Sequence, residues 1–301
     1  MNTTWPGDSA TVVRWLRATL HAEVADSREA RINGLDDVKI AADLSGKDLQ
    51  HLTLDATRVR LQFDWRASPD LAARNEAARH HDPQPVSEEP GTIQELRIRA
   101  TPIRIEGTDV NIDVQAFDVP ILWQIFAAPT DPRHPESING LSAPDDLSSA
   151  RGSFSASVRT QDLVPLLTSV LRPALAEVGI RLGRVKLDVT GDGSDGIHVT
   201  AYAGGRWKLL LASAHADAKV RVTRDAVITV NELTLGSRNP LVALALRFTR
   251  KHVREVVGKP YDLNRAIEGG ARGDEQGATS ARIYDLRVAT GEDFSVSGRV
   301  N

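Results

Sequence analysis

The sequence predicts an α+β protein dominated by antiparallel strands, and three observations carry that expectation. Most of the chain alternates apolar and polar residues with period two, as strands do when one face is buried. Turns rich in Gly, Asp and Asn separate these stretches at short spacing, which favours meanders over parallel crossovers. Four segments break the rhythm with helical spacing. The 301 residues, 41% of them hydrophobic, suffice for a substantial core. The expected organisation is one domain over 1–301, its halves 1–127 and 153–301 joined by a loop at 128–152.

In chain order, Asp8 or Ser9 caps a first helix that runs to about Ala25 with Val12, Val13, Leu16 and Leu20 on one stripe. Strands follow at Val38 to Leu44, at Leu52 to Ala56 and at Val59 to Phe63, the first two joined by a turn at Ser45-Gly46-Lys47-Asp48. After Ser68-Pro69, the polar run Asp70 to Arg79 predicts a surface helix. Leu96 to Ile105 and Val110 to Val114 read as strands, and Asp118 to Phe126 as a helical turn or two. Phe154 to Val158 is a further strand. A third helix starts at Thr160 and stops at Gly179, and strands continue at Val185 to Val189, Ile197 to Ala201, Leu209 to Val222 and Val227 to Leu235. A fourth helix runs from Asn239-Pro240 to Gly258, before closing strands at Ile283 to Val288 and Phe294 to Val300. Arg79 to Gly91, Ala128 to Gly152 and Glu268 to Ser280 have loop composition.

Composition narrows the function classes. No apolar run reaches eighteen residues, since the richest, Leu241 to Leu246, meets Arg247 at once, so no membrane-spanning helix is expected. Met1 to Leu20 carries Asp8, Arg14 and Arg17 and has no secretory h-region, which predicts a cytoplasmic protein, peripheral at most to a membrane, or a mature form. With no cysteine there are no disulfides or thiolate metal sites, and a net charge of -3 argues against a general nucleic-acid binder.

Catalytic motifs are missing from the sequence. There is no His-x-x-x-His or His-x-His; His80-His81-Asp82 lies in a Pro-rich polar stretch where solvation is the expected state. Asp188, Asp192 and Asp195 around Gly191 to Gly196 miss the calcium-loop spacing and its final Glu, which leaves a hairpin turn. Ser194 has Asp192 where a nucleophile elbow needs glycine, and neither phosphate-cradling glycine motif occurs. His198 and His215 sit in alternating strands, as structural histidines do. The expectation is a non-enzymatic protein with neither metal nor cofactor.

The helices are more informative. Leu163, Leu167, Val170 and Leu171 belong to an apolar set on the third helix that exceeds a single stripe, and Leu241, Leu244 and Leu246 open a fourth helix apolar around its whole circumference. Such surfaces need cover from protein or from a ligand, and a core of Leu, Val, Ile and Ala with only 5% aromatics suits acyl chains. Arg247, Arg250, Lys251 and Arg254 then place positive charge along the second half of that helix. Two readings stand for them: a complement to the helix macrodipole, or contact with anionic head groups at a membrane surface.

The stretch INGLDDVKIAADLSGKDLQHLTLDATRVRLQF after a first helix, then SASVRTQDLVPLLTSVL, RVKLDVTGDGSDGIHVTA, DAKVRVTRDAVITVNELTLGS, NPLVALALRFTRKHV and ARIYDLRVATGEDFSVSGRV, resembles in order and pattern the LmeA-like lipid-binding family of actinobacteria. The resemblance covers residues 8–64 and 153–301. It implies a relative of the tubular lipid-binding (TULIP) superfamily, with curved antiparallel sheets wrapping long amphipathic helices. By that resemblance the function expected is non-catalytic binding of a phospholipid or other long-chain amphiphile in an apolar interior, for carriage or envelope lipid homeostasis. The alternative is a structural protein with a dry core that scaffolds a partner.

Overall fold

The computed structural model describes residues 5–26, 30–63, 84–177, 180–193, 195–207, 210–237, 257–265 and 282–301. Helix α1 (Ser9–Asp26) precedes strands β1 (Ala30–Asn33), β2 (Lys39–Ser45), β3 (Asp48–Asp55), β4 (Arg60–Phe63), β5 (Ser87–Ile105), β6 (Thr108–Ile125), β7 (Asn139–Ser142) and β8 (Arg151–Arg159). Helix α2 (Leu163–Glu177) leads into β9 (Ile180–Asp192), β10 (Gly196–Trp207), β11 (Leu210–Val222), β12 (Val227–Gly236) and β13 (Pro260–Asp262). The hairpin β14 (Ile283–Ala289) and β15 (Asp293–Val300) follows.

The spine is the β5–β6 hairpin, eighteen or nineteen residues per strand, hence about 60 Å long at the usual strand rise. Its two-residue turn, Glu106-Gly107, has φ 50° and 84°, the left-handed pair that fits the twist of a tight hairpin. Two short elements share each flank of the spine. Along β5, β3 and then β4 pair in parallel; along β6, β8 and then β7 pair antiparallel. With β1, β2, β15 and β14 these make a ten-stranded sheet, and β13-β12-β11-β10-β9 form a separate five-stranded antiparallel sheet.

Three apolar clusters hold the elements. Trp5, Val12, Leu49, Leu52, Ile93, Ile121 and Trp123 seat the start of α1 on one half of the spine. Val38, Val59, Ala100, Ile103, Val110 and Val158 pack at the other half, with Leu163 and Leu166 of α2 against them. Ile197, Val222, Ala226 and Leu286, with Phe154 and Val296 beside them, join the five-stranded sheet to β8, β14 and β15. Complete burial of a Leu or Val side chain is worth about 1.5–3 kcal/mol.

The tubular expectation is overturned: both sheets are open, and no long helix is wrapped by sheet among the described residues. The reason lies in the helix surfaces, since an enclosed helix must be apolar all round. Val12 of α1 is buried, whereas Asp8, Arg14 and Glu23 at and along it are not. On α2, Leu163 and Leu166 pack inward while Leu167 is 40% exposed and Arg172 is exposed. Each helix covers a sheet with one face.

Asp118 to Phe126 is also corrected, from helical turns to the second half of β6, where Ile121 and Trp123 point into the core and Leu122 and Gln124 point away from it. Asp8 does cap α1, its carboxylate accepting from the Thr11 amide at 2.7 Å, and hydrogen bonding from the Thr11 side chain and amide lowers its pKa. The polar helix expected at 70–79 and nearly all of the fourth helix lie outside the described residues. No helix among those described is long and apolar enough to cross a membrane.

Candidate functional site

The five-stranded sheet has two contrasting faces, a direct result of period-two alternation read across register. On one face three rows cross the strands: Val189–Val199–Ala218–Leu233, Leu187–Ala201–Ala216–Leu235 and Val185–Ala203–Ala214. Alanine dominates the two central strands, and Val or Leu lines the two outer ones. The relief is a trough with a floor of methyl groups and branched walls. Its walls stand three strand spacings apart, about 14 Å. No polar or aromatic side chain enters these rows.

One end of this face is closed. Ile197, Val199, Val220 and Val222 join the cluster that packs on Leu286, Val288 and Val296. Beyond that end, from Leu187 and Ala201 onward, the rows are half-buried, and Leu235 is 36% exposed. Helix α2 packs along β9, the strand that forms one wall.

The opposite face is polar and braced across strands. His198 Nε2 lies 2.9 Å from Asp217 Oδ2, and Thr200 Oγ1 donates to the same oxygen at 3.2 Å. The His198 contact, with help from Thr200, lowers the pKa of Asp217. Lys219 and Glu232 pair at 3.1 Å, and this contact raises the pKa of Lys219. His198 meets a carboxylate on an open sheet face, and the His215 ring lies so close over Gly236 that a Cβ there would overlap it.

Of the predicted site residues, Leu163 and Leu167 have described side chains. Leu163, half-buried, packs against the second core cluster. Leu167 is 40% exposed on the helix beside the trough. Val170 and Leu171 fall within α2, but their side chains are outside what is described, as are Leu241, Leu244, Leu246, Arg247, Arg250, Lys251 and Arg254 altogether. His80, His81 and Asp82 are likewise outside, and among the described residues no three His, Asp or Glu side chains gather around a metal-sized space. Asp192 and Asp195 flank the β9–β10 turn, with Gly193 at φ 75°. Sequence reasoning missed the Ala-floored trough. Its signal was present as alternating alanines in Ala201 to Ala203 and Ala214 to Ala218.

No protein-family model, curated protein or solved structure matches this chain significantly.

Proposed function

We propose that this protein binds a long-chain amphiphile without catalysis, its acyl part lying along the trough between β9 and β12. The carrying observation is that the aliphatic face of the five-stranded sheet continues, half-buried, past the cluster that closes its other end. Apolar surface of this kind gains about 25 cal/mol per Å² when covered. A floor of methyl groups without a hydrogen-bonding side chain recognises only the aliphatic part of a ligand. The resemblance to LmeA-like proteins points to the same ligand class, a phospholipid being the natural member, and carriage of lipid is the role that binding would serve.

The test is organic extraction of the purified chain with lipid analysis, followed by uptake of palmitate and of palmitoyl-oleoyl phosphatidylglycerol. Ala201→Phe and Ala216→Phe place rings on the floor. Uptake is expected in the wild type, at least tenfold weaker in both variants, with unfolding free energy nearly unchanged. Clean protein that takes up neither probe, with both Phe variants destabilised by the 1–3 kcal/mol or so typical of overpacking, would show a dry core and favour the scaffold reading.

A further inference from the structure

We infer that the chain has a second, separate binding site, for a small organic cation with an apolar or aromatic body, in the cleft between α1 and the segment that includes β7. The cleft, open on one side to solvent, has a volume of about 970 Å³, at the upper end of the range for small-molecule sites.

Three walls of different chemistry define it. The first is a face of α1: Trp15, Thr19, Ala22 and Glu23 recur at helical spacing and all line the cleft. Trp15 donates its indole N–H to the backbone oxygens of Glu136 and Asn139 at 3.2 and 3.3 Å. The donor is thereby used on the wall itself, leaving ring surface for a ligand. Trp15 meets Trp5 edge to face at 5.1 Å, and Trp5 meets the buried Trp123 at 5.4 Å, so the ring is held from the core outward.

The second wall is the end of β6 with Leu122 and Gln124, Phe126 just beyond it, and Leu141 of β7. Gly140 makes this wall possible, since a Cβ there would stand 3.0 Å from the Phe126 ring and 3.1 Å from Gln124 Oε1. The absent side chain lets both residues lie across β7.

The third element is charge. Glu23, Glu88, Asp131, Glu136 and Asp145 line the cleft, and among the described residues no Lys or Arg does. Asp131 is matched by Arg133, and Glu136 lies 3.5 Å from His134. Glu88 accepts only from the Gln124 amide at 2.8 Å, a neutral donor that leaves its charge in place. Carboxylates around a concave, partly apolar wall concentrate field on cations and repel anions. Aromatic rings add cation–π attraction. An ammonium or guanidinium group joined to a flat or apolar body satisfies all three walls at once.

Calorimetric titration of the full chain with benzyltrimethylammonium, spermidine, benzyl alcohol and an arginine-rich hexapeptide tests this. Benzyltrimethylammonium is expected to bind saturably and more tightly than spermidine, and benzyl alcohol not to bind. Glu23→Gln with Glu88→Gln, both at exposed positions, should weaken the cation at least tenfold while leaving the melting temperature in place, and Phe126→Ala should weaken it independently of charge. Rising salt should erode wild-type affinity. No saturable binding of either small cation, equal affinity in the Gln double variant, or the hexapeptide as the tightest ligand would each overturn the assignment.

Discussion

Gly91 shows how closely backbone and side chain meet at the base of the spine. A Cβ there would overlap the Lys47 carbonyl oxygen and stand 2.8 Å from Trp123 Nε1, the two atoms that hydrogen-bond to each other at 2.8 Å. Gly91→Ala is expected to cost about 1–3 kcal/mol by forcing them apart. Gly291→Ala, where nothing lies within 4 Å, should stay within about 0.5 kcal/mol. Denaturant unfolding of the two variants decides it. Asp131 makes a second prediction at this scale. Hydrogen bonds from the Arg133 side chain and amide hold its carboxyl at about 2. A depressed carboxylate pKa means the bond supports the turn at and above the ordinary carboxylate range and is lost as pH falls through about 2. A carbon-detected titration of Asp131 should find that midpoint, and Arg133→Gln should move it upward; an unmoved midpoint would discount the pair.

Leu49 and Leu167 have the same side chain and expected effects of very different size, set by the elements that carry them. Leu49 on β3 is fully buried, so Leu49→Ala should cost about 2–5 kcal/mol in denaturant unfolding. Leu167, 40% exposed on α2, should change stability by no more than about 0.5 kcal/mol when cut to Ala. Reduced palmitate uptake in that variant would tie α2 to the trough; unchanged uptake would leave the helix out of the site. Legibility differs between elements for similar reasons. Strands with one wet face, such as β2 and β10, were readable because period two survives. The start of β5 was not, because Glu88, Glu89, Pro90 and Gly91 have loop composition, yet each finds a partner on β6 from Gln124 to Ile121. The second half of β6 was hidden by its short apolar run, which periodicity alone cannot divide between strand and helix. The trough was half legible, its alanines visible but their alignment set by register. The cleft was illegible, since Trp15, Glu88 and Glu136 come from distant stretches, two of them within segments with loop composition.

At the scale of the molecule, the strands of the two sheets meet among the described residues in a small cluster in which Leu286 is 4% exposed. Leu286→Ala should therefore cost about 2–5 kcal/mol, and hydrogen exchange should quicken in β10 and β11 as well as in β14. Faster exchange confined to the β14–β15 hairpin would mean that the sheets are stabilised separately. The ten-stranded sheet is also finished out of order. Strand β8 lies against β6, but its other edge is met only by β15, with Arg159 opposite Asp293. On a translating ribosome, at roughly 5–20 residues per second, that edge waits on the order of ten seconds for its partner. Its unpaired amides and carbonyls are meanwhile an open template for any other extended chain. Nascent chains stalled before β15 should therefore be the ones that chaperones hold and proteases cut.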